Sequence, residues 1–316
     1  MNLFSSFIDS VKKSSHIALL AHKDPDFDTL SACAALGLIA KKYNCSVDLI
    51  IPNSDPVILN YFPFPILNAT FTKLPDLIII CDTSSFNRVF FPSEFKDIPI
   101  ALFDHHQGGN ISATFSFVDS TAPSCCDLVL DIIHSFDKTL LTPEIAQLLF
   151  DGLVADTLSF RTSGVSPTTF NRAALLIEYG AKPMTSHIRL IQKQTPADFI
   201  FKTQLMSRVA IDATSSCAYL LVTEQELLDA KKTKGTLEGI GNEFISSMFI
   251  NSSILVYALN SGHTKVSLRS NTVNVYEIAK NNGGGGHICA AGFETTKSPE
   301  QIIKELLETF SSKNTF

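Results

Sequence analysis

Eight side chains at the polar ends of apolar runs are of the types that hold divalent metal ions: His22, Asp26, Asp28, Asp82, Asp104, His105, His106 and Asp156. Carboxylate and neutral imidazole are ordinary metal ligands, and an oxygen-rich set with a minority of histidine suits manganese or magnesium better than zinc. Two divalent ions roughly 3.5–4 Å apart need about this many groups, one of them a carboxylate able to bridge. Two ions clamping the attacking and leaving oxygens suit in-line hydrolysis of a phosphate ester, with a metal-activated hydroxide as nucleophile. No single cluster carries this reading alone. A solvated strand end explains Asp104-His105-His106 equally well.

The elements that must position these groups are legible as patterns. His16 to Ala21 is a short, nearly all-apolar run, as expected of a strand covered on both faces, and it ends in His22-Lys-Asp-Pro-Asp-Phe-Asp28. Three acids this close repel one another, a cost that a bound cation removes. Asp76 to Cys81 repeats the design and ends in Asp82, and Ile98 to Phe103 ends in Asp104-His105-His106. Helical spacing is expected over Phe4–Lys13, Leu30–Tyr43 and Ser124–Ile133, and Ser46–Ile51 is a further strand. Thr142-Pro143-Glu144 starts a helix that runs to about Ala155 and delivers Asp156, and Ser166-Pro167 starts another that closes near Gly180. Asp151, a turn and a residue before Asp156, points away from it. Apolar strands alternating with helices and ending in ligands predict an α/β fold, a doubly wound, mainly parallel sheet with its site along one edge.

A smaller α/β domain follows. We place the boundaries at 1–185, a connector at 186–208 and a second domain at 209–316. Its expected elements are a strand at Cys217–Val222, a helix at Leu237–Phe249, a hairpin of Ser253–Leu259 and Thr264–Leu268 turning at Asn260, and a helix at Asn274–Lys280. Four glycines, Gly283 to Gly286, lead into His287, and Ser298-Pro-Glu-Gln301 opens the last helix. A glycine run lets backbone N–H groups approach a phosphate closely, although a flexible linker is the commoner fate of such a run. Arg269 supplies a planar fork for phosphate.

Composition narrows the partners. At 316 residues the chain can bury two cores, and with 45% hydrophobic against 18% charged residues it is a packed globular protein. A net charge of −6 argues against a broad basic surface for long nucleic acid while leaving room for a local basic pocket. The seven cysteines show no C-x-x-C spacing and are odd in number, which points to a reducing compartment and no disulfide framework. With neither a signal peptide nor a membrane span expected, the predicted location is cytoplasmic.

In order and spacing, His22-x-x-x-Asp26-x-Asp28, Asp82, Asp104-His105-His106 and Asp156 resemble the four motifs of the DHH phosphoesterase superfamily. Gly283-Gly-Gly-Gly-His287-x-x-Ala290-Ala-Gly292, preceded by Ser267-Leu-Arg-Ser270, resembles the signature of the DHH-associated C-terminal domain. The chain is most similar to the nano-RNase/pAp phosphatase branch. The resemblance implies two divalent cations, manganese first and magnesium second. One would sit on His22, Asp26 and Asp82, the other on Asp28, Asp82, His105 and Asp156, with Asp82 as the bridge. His106 would face the scissile phosphate as a donor or leaving-group acid, and Asp104 would orient the histidines. Arg269, Ser270, Gly284, Gly285, Gly286, His287 and Arg161 would bind substrate. Departures from the pattern are Phe27 in place of Gly, Ser31-Ala32 in place of Gly-Ser, and Asp24 at a position that is often Asn.

The implied substrates are short RNA or DNA oligonucleotides, dinucleotides such as pGpG, and 3′-phosphoadenosine 5′-phosphate (pAp), converted to AMP and gripped in an interdomain cleft. A homodimer is one expected assembly. A RecJ-like exonuclease, a pyrophosphatase and a catalytically weak nucleotide-binding regulator are the alternatives. Arg88, in the polar loop after Asp82, is equally a surface charge or a site residue. His16, His134, His187 and His263 are expected to bind no metal, Asp119 and Asp127 to be surface or capping residues, and Cys125-Cys126 only to pack.

Overall fold

A computed structural model describes residues 3–23, 25–52, 62–64, 66–106, 108–190, 195–231, 237, 240–246, 249–259 and 261–313. Asp24 and Asn260 lie outside the described residues, as does part of the helix expected over Leu237–Phe249. The chain divides into two compact units, Met1–Lys193 and Gln194–Phe316.

The first unit is built on six parallel strands: β1 (His16–Leu20), β2 (Ser46–Ile51), β3 (Ile66–Asn68), β4 (Leu77–Cys81), β5 (Ile100–Asp104) and β6 (Phe115–Val118). Their order across the sheet is β3-β2-β1-β4-β5-β6. The chain therefore runs outward from β1 through β2 and β3, then returns to β4 on the other side of β1. Where the order reverses, the segments leaving β1 and β4 diverge and open a crevice beyond the strands' carboxyl ends. β5 starts at Ile100, two residues later than the apolar run suggests, because Pro99 has no N–H to give the ladder.

Strand side chains alternate between two cores. Ile17, Leu19, Leu49, Ile79, Ala101 and Phe103 pack against helices α1 (Leu3–Lys13), α2 (Phe27–Lys42), α3 (Cys125–Phe136) and α4 (Pro143–Asp156). Ala18, Leu20, Ile50, Ile78, Ile80, Ile100 and Leu102 point to the other face. There, among the described residues, they meet Phe71, Phe86, Phe90, Phe91 and Phe95 from loops and single 3-10 turns. The α/β class and parallel sheet are as expected, and among the described residues phenylalanine rings supply much of the cover on this face. Each ring can bury about 150–250 Å² without a helix to carry it. Helices α5 (Pro167–Glu178) and α6 (Pro183–Leu190) complete the unit. Each begins with proline, whose fixed φ suits a first helical turn.

The second unit has a mixed sheet of order β11-β12-β10-β9-β8-β7. Its strands are β7 (Ala210–Asp212), β8 (Cys217–Thr223), β9 (Ser252–Ala258), β10 (Thr264–Ser270), β11 (Gly285–His287) and β12 (Ala290–Thr295). β9 and β10 form the expected antiparallel hairpin. Helices α7 (Pro196–Met206), α8 (Glu224–Asp229) and α9 (Ile240–Ile245) share one core, and α10 (Val275–Asn281) and α11 (Pro299–Lys313) the other. The glycine run is no linker, since Gly285 to His287 pair with β12 as an edge strand. A Cβ on Gly284 would fall 2.1 Å from the Gly292 carbonyl oxygen, and Gly286 has φ +137°. Close backbone approach, not flexibility, requires glycine at these two positions.

Candidate metal centre

The carboxyl ends of β1, β4 and β5 and the last turn of α4 bring the sequence-expected ligands together. Three overlapping groups each place their donor atoms within 4.8 Å of one another: His22, Asp26 and Asp82; Asp82, His105 and His106; Asp28, His105 and Asp156. Asp82 belongs to two of them and is 3% exposed. Its Oδ2 lies 3.4 Å from His22 Nε2, and its Oδ1 lies 3.3 Å from His105 Nε2. The backbone of Asp82 is left-handed, with φ +62°, a conformation that non-glycine residues adopt at a cost of about 1–3 kcal/mol. The strained turn directs the carboxylate back over the sheet edge, between the segments that follow β1 and β5.

Both ring tautomers suit metal binding. His22 Nδ1 lies 2.8 Å from the Lys23 carbonyl oxygen and His105 Nδ1 lies 3.2 Å from that of Ala122. A carbonyl only accepts, so each Nδ1 carries a hydrogen and Nε2, the atom that faces Asp82, is the one a metal would take. His106 is arranged differently. Its Nδ1 lies 2.8 Å from Asp104 Oδ1, its backbone N–H donates to the same oxygen, and Ser84 Oγ donates to Oδ2 of that fully buried carboxylate. Asp104 thus orients His106, whereas Ala122 orients His105.

Asp26 caps α2 by accepting from the Thr29 backbone N–H at 3.0 Å. Asp28 sits in the first turn of α2, where the helix dipole favours a negative charge. Its two oxygens also accept from the backbone N–H groups of Cys125, at 2.6 Å, and Cys126, at 2.9 Å. These cysteines do more than pack. The amino end of α3 holds a carboxylate that lies far away in sequence. Thr29, fully buried, donates its hydroxyl to Asp82 Oδ2 at 2.7 Å. Sequence reasoning passed over Thr29, Ser84 and the Cys125-Cys126 amides. The one available signal was the run of Asp26-x-Asp28-Thr29, in which a hydroxyl follows two acids.

The electrostatics call for a cation. Burial, followed by the charges of Asp82 and Asp156, pushes the Asp28 carboxyl well above its usual range. Burial together with Asp26 and Asp82 pushes Asp156 up to about 7, against the pull of His105. Burial draws His105 down, but Asp82, Asp156 and Asp28 outweigh it and raise the ring to about 10. Burial opposes ionisation of Asp82, yet the neighbouring imidazoles of His105 and His22 hold it well below the usual carboxylate range. The three carboxylates thus favour positive charge at His105, which a divalent ion on Nε2 would supply in place of the ring proton. Asp82 Oδ1 is buried with no hydrogen-bond partner, which a metal ion would supply. The residues fit a divalent metal site.

Other expected residues divide. Asp151 is buried away from the cluster, bonded to Gln147, Ser186 and Arg189. Asp127, expected at the surface or as a cap, is instead fully buried against Arg172. After Asp156 the residues Leu158, Ser159 and Phe160 are all left-handed, with φ 49°, 60° and 64°, and Arg161 Nε donates to the Leu158 carbonyl oxygen at 2.7 Å. In the second unit Arg269 is half-buried beside Asn242 Oδ1 (3.2 Å) and Ser267 Oγ (3.2 Å), and no carboxylate pairs with it among the described residues. Ser270, expected beside Arg269 at the substrate, is 1% exposed, and its hydroxyl accepts from the Val273 backbone N–H and meets Ser252 Oγ. His287 is exposed at the end of β11.

An open parallel sheet with carboxylates and imidazoles converging on its switch point is the architecture of a metal-dependent phosphoesterase. Residues 16–153 match the DHH family N-terminal domain and residues 217–314 match the DHHA1 domain. The chain belongs to the DHH family and is a hydrolase of that phosphoesterase superfamily. It is similar to a Mycoplasma genitalium protein named bifunctional oligoribonuclease and PAP phosphatase NrnA, at 25% identity over 303 residues covering 90% of each chain. A Thermus thermophilus protein of the same name is 27% identical over 301 residues, covering 92% of this chain and 87% of its own. The crystal structure of an exopolyphosphatase-related protein from Bacteroides fragilis shares the fold, with TM-score 0.87 and 20% identity over 98% of this chain and 96% of that one. Among the described residues no helix is long and apolar enough to cross a membrane.

Proposed function

We propose that the protein is a manganese-dependent phosphoesterase that hydrolyses short oligonucleotides, including dinucleotides such as pGpG, and converts pAp to AMP. The observation that carries this reading is Asp82, a buried carboxylate with an orphaned oxygen, set between His22 and Asp26 on one side and His105 on the other. His22, Asp26 and Asp82 would hold one ion, and Asp28, Asp82, His105 and Asp156 a second. Bound in this way, the ions would neutralise the phosphoryl oxygens and polarise the phosphorus for attack by an activated water. His106, steered through Nδ1 by Asp104, would donate from Nε2 to the phosphoryl group or the leaving oxygen. The C-terminal unit would recognise the nucleotide through Arg269, His287 and the glycine strand, a guanidinium fork being suited to phosphate. Relatives named for oligoribonuclease and PAP phosphatase activity support the substrate class.

The test is purified protein with manganese, assayed side by side on pAp, pyrophosphate and oligonucleotides from two to about twenty-four residues. A net charge of −6 disfavours extended phosphate contacts, so turnover should fall as the chain lengthens. Undiminished turnover on the longest substrate, or turnover of pyrophosphate alone, would overturn the substrate assignment.

A further inference from the structure

Arg88 ends a single 3-10 turn, Phe86–Arg88, a short way along the chain from Asp82. Four hydrogen bonds fasten this turn and the residues just before it to the neighbouring strand-end segments. The Lys23 N–H donates to the Arg88 carbonyl oxygen at 2.5 Å, and the Phe86 N–H donates to Asn110 Oδ1 at 2.9 Å. The N–H groups of Asn110 and Ile111 both donate to the Ser84 carbonyl oxygen, at 2.8 and 3.1 Å. Gly109 permits that last approach, because its φ is +149° and a Cβ there would fall 2.2 Å from Ser84 Cβ. The backbone that carries Arg88 is therefore fixed relative to the ligands on β1, β4 and β5.

The Arg88 side chain reaches back to the cluster and places Nη2 3.2 Å from His22 Nδ1. That nitrogen already faces the Lys23 carbonyl oxygen at 2.8 Å, so it carries a hydrogen and cannot accept another. Two donors thus meet, and the guanidinium finds no acceptor in the tautomer that leaves His22 Nε2 for a metal. Among the described residues no carboxylate pairs with Arg88. Asp82 Oδ2 lies 3.4 Å beyond the same imidazole, so this cation stands one ring away from the bridging carboxylate. Among the described residues, a guanidinium in that position meets no anion. The charge count agrees. Asp26, Asp28, Asp82 and Asp156, with Asp104 behind His106, are five carboxylates against the four positive charges that two divalent ions would bring, so an incoming phosphate would arrive uncompensated.

We propose that Arg88 is a catalytic residue whose guanidinium binds a non-bridging oxygen of the scissile phosphate and stabilises the charge that grows there in the transition state. This rests on the phosphoesterase reading above. In the reaction a water oxygen bonds to phosphorus and gives up a proton. The bond from phosphorus to the departing oxygen breaks with its electron pair, and that oxygen takes a proton. Arg88 exchanges no atom and acts through charge-assisted hydrogen bonds.

The experiment compares wild type with Arg88→Ala and Arg88→Lys in the manganese-loaded full chain. Arg88 is exposed, so both variants should fold with unchanged melting temperature. In Arg88→Ala, kcat on a dinucleotide should fall about 10²–10³-fold, the usual effect of removing one donor to a developing oxyanion. Metal content should not change, and added guanidinium should restore part of the rate. Arg88→Lys should recover less than about tenfold of the loss, because an ammonium lacks the planar fork. The proposal is overturned by a kcat within about threefold of wild type in Arg88→Ala, by metal loss that parallels the activity loss, or by the absence of guanidinium rescue. Calorimetric binding of inorganic phosphate to the loaded proteins separates the two levels of inference. If wild type binds phosphate through Arg88 but turns over no phosphoester, the anion contact stands and the phosphoesterase reading fails. Equal phosphate affinity in wild type and Arg88→Ala refutes the contact itself.

Discussion

Replacing Thr29 by valine removes one hydroxyl and almost no volume, which isolates a single hydrogen bond to the central carboxylate. Thr29 is fully buried, and its Oγ1 donates to Asp82 Oδ2 at 2.7 Å. A hydrogen bond to a buried charged group contributes about 1.5–3 kcal/mol, so the metal-free protein should lose roughly 2 kcal/mol. For a unit of this size each kcal/mol shifts Tm by about 2–4 °C, giving a fall of about 4–8 °C. The same hydroxyl orients Asp82 for the ions, and losing such a supporting partner weakens metal affinity about 10–100-fold. By linkage every tenfold removes a further 1.4 kcal/mol or so of metal-derived stability. The manganese-induced rise in Tm should therefore be smaller in Thr29→Val by at least about 3–6 °C. Thermal melts with and without manganese, and activity as manganese is titrated, measure both effects. An identical metal-induced shift and an unmoved manganese midpoint would show that the hydroxyl does not position the bridging carboxylate.

Three further outcomes follow from other contacts. Arg172→Met leaves Asp127 buried without its cation, and such orphaned charges cost about 3–5 kcal/mol. Burial raises Asp127 to about 6 even with Arg172 present, so its favourable contribution is complete below the unfolded carboxylate range and is lost as pH rises through about 6. Denaturant unfolding of Arg172→Met should thus show a larger loss at pH 8 than at pH 5, and the reverse order would refute it. Gly286→Ala forces a Cβ to 2.5 Å from the Ala290 carbonyl oxygen at φ +137° and should destabilise the second unit by about 2–3 kcal/mol. Gly285→Ala, whose Cβ meets nothing within 4 Å, should melt within about 0.5 kcal/mol of wild type. Equal melting of the two glycine variants would refute the strand geometry. Arg269→Ala should raise KM on dinucleotides while leaving metal content unchanged, and metal loss would refute a binding role.

Local sequence determined the elements and the chemistry they carry. Apolar runs of five or six residues announced β1, β4 and β5, helical spacing announced α1 and α2, and Thr142-Pro143 announced α4, because periodicity and capping act over a few residues. The ligand types at the strand ends were legible for the same reason. The Phe71 to Phe95 loops were not read as the cover of one sheet face, since rings without periodicity do not declare which surface they join. The glycine run reads as a phosphate-approaching segment or a flexible linker and not as a strand, because the partner that makes it a strand is Ala290–Thr295 and pairing is a tertiary fact. The same holds at the centre of the site. Sequence placed two cysteines after Ser124 and an arginine after Asp82, but only strand order and register set the Cys125 and Cys126 amides on Asp28 and the Arg88 fork against His22. Hydrogen bonds between residues distant in the chain depend on how the parallel strands stack, and no local pattern encodes that distance.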